Sequence, residues 1–144
     1  MSEIASYRDL KVWQSAMNIA EGAYTFTRRF PQAETYGMTS QIRRSAASVA
    51  ANIAEGYGRD STGAYANFLC VAQGSLKEQE THILIAARVG LSDDGEGAVL
   101  LSQCDELGRM LRSLIRSIER HGGEKSVNPT AYCLLPTASE SAHG

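Results

Sequence analysis

Polar side chains follow one strip of a helix that the sequence predicts between residues 41 and 59. At about 100° per residue, that strip consists of Gln41, Arg44, Ser48, Asn52 and Glu55. Such a strip could bind a ligand, or it could form an internal network of hydrogen bonds and ion pairs, since buried charges persist only when they are paired. We favour the structural network and include Glu78 of a later helix in it.

A metal site is a second kind of chemistry to consider. Glu55, Glu78 and His82 are the carboxylates and imidazole near a predicted bundle interior. Di-metal bundles use Glu-x-x-His, with i, i+3 spacing, on paired helices. Glu78 and His82 are four residues apart, and the chain has no second copy of the pair. The sequence therefore predicts no metal ion and no other cofactor.

The motifs of nucleophilic catalysis and nucleotide binding are absent. The serines lack a G-x-S-x-G context, and neither a P-loop nor a dinucleotide fingerprint occurs. We therefore expect a protein that is not an enzyme and has no catalytic residues.

Arginines form the candidate nucleic-acid contact, and they are Arg28, Arg29, Arg43, Arg44 and Arg59. Residues 28–59 contain these five arginines and two glutamates, a net charge of +3, whereas residues 60–120 contain six basic and nine acidic residues, a net charge of −3. The whole chain carries −2, although dedicated nucleic-acid binders are usually basic. The alternative to a basic patch is that these charges are distributed over the solvent-exposed faces of the helices. By helical angle Arg43 should be the best exposed, and any contact should be mainly with phosphate.

Four helices must position these side chains. The first should begin with Asp9 as its N-cap and end before Pro31, because the residue before a proline avoids helical conformation. Its predicted core face consists of Leu10, Trp13, Met17, Ala20 and Tyr24.

The second helix is the one around which the chain is organised. Its core stripe consists of Ile42, Ala46, Val49, Ile53 and Tyr57, and a second strip consists of Ala47, Ala50 and Ala54. Little of the circumference is left for water. A helix of this kind is buried on more than one side, so we expect it to pack both within its own bundle and against another subunit.

The third helix should be capped by Ser61 or Thr62 and end at Gly90. Gln79 lies in its apolar stripe, and Gly74-Ser75 predicts a helix crossing. The fourth has an apolar seam with alternating steps of four and three residues. The sequence therefore predicts an all-α, antiparallel up-down-up-down four-helix bundle over residues 1–121. Residues 122–144 show no usable period, and we expect a disordered tail. Without a leader or a membrane span, we expect a cytoplasmic protein.

Three segments carry a family resemblance: SYRDLKVWQSAMNIA, FPQAETYGMTSQIRRSAASVAANIAEGYGR and GSLKEQETHILIA. They resemble the bacterial four-helix-bundle proteins encoded in intervening sequences of 23S ribosomal RNA genes. The resemblance implies a ring-shaped homopentamer without known enzyme activity. A related branch, the basic accessory proteins of diversity-generating retroelements, binds nucleic acid and a reverse transcriptase. The expected partners are therefore further copies of the chain, RNA or DNA, or another protein.

This sequence departs from that family in three ways. Ala50 stands where the family commonly has proline, and Gln79 stands where leucine is usual. The acidic charge balance differs from the basic retroelement branch.

Overall fold

The computed structural model describes residues 3–121, and within this range the regular structure is entirely helical. The four α-helices are α1 (Lys11–Thr27), α2 (Met38–Tyr57), α3 (Thr62–Arg88) and α4 (Asp94–His121). Two short 3-10 turns, Tyr7–Asp9 and Gln32–Glu34, precede α1 and α2. The prediction of an all-α fold with four helices is confirmed. The predicted tail, residues 122–144, lies outside the described residues.

Local chemistry accounts for both ends of α3. The Ser61 hydroxyl accepts a hydrogen bond from the Ala64 amide at 3.1 Å and caps α3 as predicted. Gly90, with φ of +82°, ends α3 in a left-handed conformation that suits glycine. Asp9 does not cap α1, contrary to the prediction. It instead closes a capping box with Ser6 around the 3-10 turn, and α1 begins after Leu10.

The core lies where the four helices meet, with α2 and α4 each packed against both α1 and α3. Its fully buried side chains include Ile42, Ile53, Leu76, Leu107 and Leu111. The contact between α2 and α3 is the most extensive of the four. No helix in residues 3–121 is both long enough and apolar enough to span a membrane.

The close approach of α2 and α3 occurs at Gly56. A Cβ atom at this position would lie 2.7 Å from the Cβ of Phe68. Glycine is therefore required here by space rather than by backbone conformation. At the predicted helix crossing, Gly74-Ser75, the Ser75 hydroxyl lies 2.9 Å from that of Ser48 on α2. The space at Gly74 is not used by this crossing, because a Cβ atom there would meet no heavy atom of the described residues within 4 Å.

The predicted core face of α1 is displaced from the observed one. The residues that α1 buries are Val12, Ala16, Ile19, Ala23, Phe26 and Thr27. Met17 and Tyr24 are 36% and 46% exposed, while Trp13 and Ala20 are half-buried. The apolar arc of α1 is wide enough to contain two neighbouring stripes, so the pattern alone does not identify which stripe points inward.

Gln79 points into the core. It is fully buried, and neither its side-chain nitrogen nor its side-chain oxygen has a hydrogen-bond partner among the described residues. A polar group in this state is destabilising, since it has lost its water without gaining a partner.

Candidate functional site

The predicted polar strip contains a chain of contacts between α2 and α3. Arg44 Nη2 donates a hydrogen bond to Gln41 Oε1 at 2.6 Å and lies 3.7 Å from Glu78 Oε1. His82 Nε2 lies 3.3 Å from the same Glu78 oxygen. The Arg44 side chain is 67% exposed. Solvated pairs of this kind contribute little to stability, so these contacts orient side chains more than they hold the fold.

A second polar group lies further along the same strip. The hydroxyls of Ser48 and Ser75 are 2.9 Å apart, and Asn52 Nδ2 donates to the Ser48 carbonyl at 2.8 Å. No hydrogen bond or ion pair within residues 3–121 joins this group to Arg44 or to Glu55. The six predicted network residues therefore form two separate groups, with the exposed Glu55 outside both.

The carboxylates and imidazole considered as metal ligands do not converge. Glu78 and His82 are neighbours, but Glu55 lies elsewhere on the surface of α2. In the part of the chain that the structure describes, no group of three or more His, Cys, Asp or Glu side chains is placed to hold a metal ion.

Arg43 ties α2 to α1. Its Nε donates a hydrogen bond to Thr27 Oγ1 at 2.8 Å, and its Cζ lies 4.5 Å from the centre of the Tyr24 ring. The side chain is half-buried, so the prediction that Arg43 is the best exposed of the five arginines is wrong. Its guanidinium is held against Thr27 and Tyr24 of α1, which a helical angle calculated for α2 alone does not take into account.

The other candidate arginines are not gathered in one patch. Arg29 pairs with Glu96, and the guanidinium of Arg59 lies 4.7 Å from the centre of the Phe68 ring. Arg59 follows the far end of α2, whose last residue, Tyr57, lies about 21 Å along the helix axis from Arg43 at 1.5 Å per residue. Arg28 is exposed, and it makes no ion pair or hydrogen bond through its side chain within residues 3–121.

A surface that we call the α1–α2 face lies beside Arg43. On α1 it consists of the half-exposed stripe Trp13, Met17, Ala20 and Tyr24; on α2 it consists of Arg43 and the alanines on the same side, Ala47, Ala50 and Ala54. Ala47 is exposed, Ala54 is half-buried and Ala50 is 5% exposed. This face therefore presents to solvent the apolar side chains of α1, the methyl group of Ala47 and, in part, that of Ala54.

A hollow of about 450 Å³ opens on this face along α1. It is lined by Met17, Ala20, Glu21, Tyr24, Thr25 and Arg28. The first four of these occupy positions i, i+3, i+4 and i+7. Four residues with this spacing surround the hole on one helix that receives a side chain of a second helix. The sequence contains this spacing. Because the sequence pattern predicts Met17 and Tyr24 in the core, it does not identify them as part of a hole on the surface.

A larger and open hollow of about 900 Å³ lies where the start of α1 meets the second half of α4. Apolar side chains form much of its lining, among them Ile4, Leu10, Val12, Met110 and Leu114. Lys11 and Arg109 also line it, and Arg109 is already paired with Asp105 at 2.7 Å. Asp9, Ser113 and Ser117 complete the lining, so the hollow combines an apolar floor with scattered polar groups.

Comparison with known proteins identifies a sequence family and a similarity in fold to solved structures. A family model described as 23S rRNA-intervening sequence protein matches residues 8–113. The crystal structure of a protein with unknown function from the S23 ribosomal protein family of Bacteroides thetaiotaomicron is similar, with a TM-score of 0.66 at 23% sequence identity. The similarity covers 73% of this chain and 98% of that one, and at this identity it concerns the fold alone. No functionally curated protein matches the sequence.

Proposed function

Because the chain belongs to the 23S rRNA-intervening sequence protein family, we propose that it is a non-enzymatic assembly module of the bacterial cytoplasm. Its four helices run alternately up and down, and copies of the protomer associate into a ring-shaped homopentamer. The ring acts as a scaffold that binds a protein partner.

The observation that carries this proposal is the composition of the α1–α2 face. Met17 and Tyr24 are more than one-third exposed beside the exposed methyl group of Ala47 and the half-buried one of Ala54. Another exposed alanine, Ala51, and the exposed Ser40 extend the small-residue surface of α2. Helices approach closely where side chains are small, and apolar area removed from water stabilises an interface by roughly 25 cal/mol per Å². A second protein chain is the natural cover for this face.

The contacts of the arginines support a scaffold more than a nucleic-acid surface. Four of the five candidates, Arg29, Arg43, Arg44 and Arg59, already contact carboxylates, amides, hydroxyls or aromatic rings of their own protomer. A guanidinium that holds an internal contact must give it up, or share it, to neutralise a phosphate.

The proposed self-assembly is tested by the mass of the purified chain in solution. Light scattering should give a closed oligomer whose mass does not change on dilution. Ala47→Arg should reduce that mass to the protomer, whereas Ser102→Arg, on the exposed surface of α4, should not. A wild-type chain that is monomeric at every concentration would overturn the proposal.

Weak nucleic-acid binding is a second candidate, favoured by one observation. Arg28 is exposed and lies on the same side of α1 as Tyr24, whose ring is half-exposed and contacts Arg43. Tyr36, which is 96% exposed, follows in the connection to α2. A free cation next to an accessible aromatic ring can contact phosphate and stack on a base.

Titration with single-stranded RNA at low salt separates the two candidates. If Arg28 contacts phosphate, affinity should fall with salt with a log–log slope of about −0.7 per phosphate neutralised. Arg28→Glu should then weaken binding at least tenfold, and Arg112→Glu, at an exposed position of α4, is the matched control. Equal binding by wild type and Arg28→Glu, or no binding by the wild type, would contradict the nucleic-acid candidate and leave the scaffold as the proposed function.

A further inference from the structure

Cys70 of α3 is one half of a disulfide bond. Its side chain is half-buried at the edge of the core. The chain contains two further cysteines, Cys104 and Cys133. Because Cys104 is buried and free, it is not the partner of Cys70. The remaining cysteine of the same chain is Cys133, which belongs to residues 122–144.

The chemistry of Cys104 agrees with its exclusion from this bond. Burial, with a smaller effect of Glu80, raises the pKa of its thiol to about 12, so the thiol stays protonated at neutral pH. The species that attacks a disulfide is the thiolate, and it must also have access to the sulfur. Cys104 is therefore inert toward exchange and does not compete with Cys133 for Cys70.

Cys133 can reach Cys70 within one chain. Gln73, about one turn from Cys70 on α3, donates a hydrogen bond to the Gly108 carbonyl of α4 at 2.9 Å. From Gly108 to His121, the last residue of α4, the helix axis covers about 20 Å at 1.5 Å per residue. The twelve residues from His121 to Cys133 span up to about 40 Å when extended. The chain after α4 is therefore long enough to return along the bundle to Cys70.

A bond between these two sulfurs determines which part of α3 the neighbours of Cys133 approach. Disulfide partners have Cα atoms about 4.4–6.8 Å apart, so the residues on either side of Cys133 lie within about 11 Å of the Cys70 Cα. Next to Cys70, the apolar side chain of Val71 is 47% exposed. Gly74, one turn further on, leaves space, because an added Cβ would meet no heavy atom of the described residues within 4 Å. Residues 132–135, with the sequence Tyr-Cys-Leu-Leu, supply apolar groups that suit this surface.

We infer that Cys133 forms the disulfide bond with Cys70 and that residues 132–135 thereby cover Val71 on the outward side of α3. The occupant of this surface is a segment of the same chain, held there by a covalent bond. The inference does not depend on the proposed self-assembly, since both sulfurs belong to one protomer.

The bond forms by thiol–disulfide exchange with a small-molecule disulfide such as glutathione disulfide. One protein thiolate attacks a sulfur of the oxidant, forms a mixed disulfide and releases one glutathione thiolate. The second protein thiolate then attacks the protein sulfur of the mixed disulfide and releases the second glutathione. Two protein thiols are oxidised and one glutathione disulfide is reduced to two glutathione thiols, so the ratio of the two glutathione forms sets the fraction that is bonded.

Peptide mapping without reductant tests the pairing. The full chain is equilibrated with excess glutathione disulfide, alkylated in denaturant and cleaved with trypsin, which releases Cys70 in residues 60–77, Cys104 in residues 89–109 and Cys133 in residues 126–144. The expected result is that residues 60–77 are linked to residues 126–144, that Cys104 carries the alkyl group, and that the denatured chain keeps the mass of one protomer. Cys104→Ser should leave the link unchanged, whereas Cys133→Ser should abolish it.

Three outcomes would overturn the pairing. The first is an alkylated or glutathione-bound Cys70 in the wild type. The second is a link from residues 60–77 to a second copy of themselves or to residues 89–109. The third is a denatured chain of twice the protomer mass without reductant, which would show that the bond joins two copies.

The cover over Val71 is tested by the equilibrium between this bond and glutathione. Val71→Ser removes methyl groups that residues 132–135 would bury, so the equilibrium constant for closing the bond should fall about threefold or more. Val99→Ser is the matched control, because Val99 is 62% exposed on α4. Circular dichroism verifies that both variants fold. An equal equilibrium constant for wild type and Val71→Ser would overturn the cover over Val71.

Discussion

The guanidinium of Arg43 lies over the ring of Tyr24, with 4.5 Å from its Cζ to the ring centre. The same side chain donates a hydrogen bond to Thr27 Oγ1 at 2.8 Å. Two contacts of one α2 residue thus fix the position of α1, and they hold Tyr24 in place on the α1–α2 face. Arg43 is for this reason a structural residue first, whatever the assembled protein binds.

Replacing Arg43 with alanine should therefore destabilise the fold. Loss of a cation–π contact and a half-buried hydrogen bond should lower the free energy of unfolding by about 1–2 kcal/mol, measured by urea denaturation at a fixed protein concentration. Arg112→Ala, at an exposed position without an internal partner in the described residues, should stay within about 0.5 kcal/mol of the wild type. Equal stability of the two variants would contradict the structural role.

Gln79→Leu should stabilise the protein. The buried amide lacks partners, so replacing it with an apolar side chain of similar size removes a desolvation penalty of about 1–3 kcal/mol. Gln73→Leu on the same helix is the control with the opposite sign, because Gln73 Nε2 donates to the Gly108 carbonyl at 2.9 Å. Thermal unfolding should place the melting temperature of Gln79→Leu above that of the wild type and that of Gln73→Leu below it. A lower melting temperature for Gln79→Leu would show that its amide is satisfied.

Gly56→Ala should destabilise the contact between α2 and α3. The new methyl group would lie 2.7 Å from the Cβ of Phe68, and relief of this overlap requires the helices to move apart. Overpacking of this kind typically lowers the free energy of unfolding by about 1–3 kcal/mol. Gly63→Ala, where the methyl group meets nothing within 4 Å, should be neutral or stabilising by at most about 1 kcal/mol. A stabilising Gly56→Ala substitution in the same urea titration would contradict the close approach.

Cys104 should make stability depend on alkaline pH. Burial, with a smaller effect of Glu80, raises the pKa of its thiol to about 12. The unfolded chain deprotonates this thiol at the ordinary, lower pKa. The free energy of unfolding should therefore fall as the pH rises from about 8.5, the ordinary thiol pKa, through the folded value. The difference between wild type and Cys104→Ala, measured from pH 7 to pH 10, isolates this term. A difference that does not change with pH would contradict it.

Much of the fold follows from local signals in the sequence. Pro31, Ser61 and Gly90 mark helix ends through backbone chemistry that acts within a few residues, and the structure has helix ends near each of them. The core face of α1 could not be read in the same way, because Trp13, Met17 and Tyr24 form an apolar stripe next to the true one. Which stripe is buried depends on where α2 and α4 pack, and that is a tertiary property.

The candidate site depends still more on tertiary contacts. Arg43 and Arg59 are both arginines that flank or lie in α2, yet the length of this helix places them at different ends of the bundle. The pairing of Arg29 with Glu96 links residues 67 positions apart, which no local pattern contains. Gly74 was visible in the sequence as an unusual residue, but only the packed helices showed that no atom of the described residues would lie within 4 Å of an added Cβ.

The mass of the assembled full-length protein tests the central claim most directly. Light scattering combined with native mass spectrometry, over a hundredfold range of concentration, should give five protomer masses throughout, because a closed ring has no unpaired face at which to grow. A single protomer mass at every concentration would contradict self-assembly, and a mass that grows continuously with concentration would contradict a closed ring.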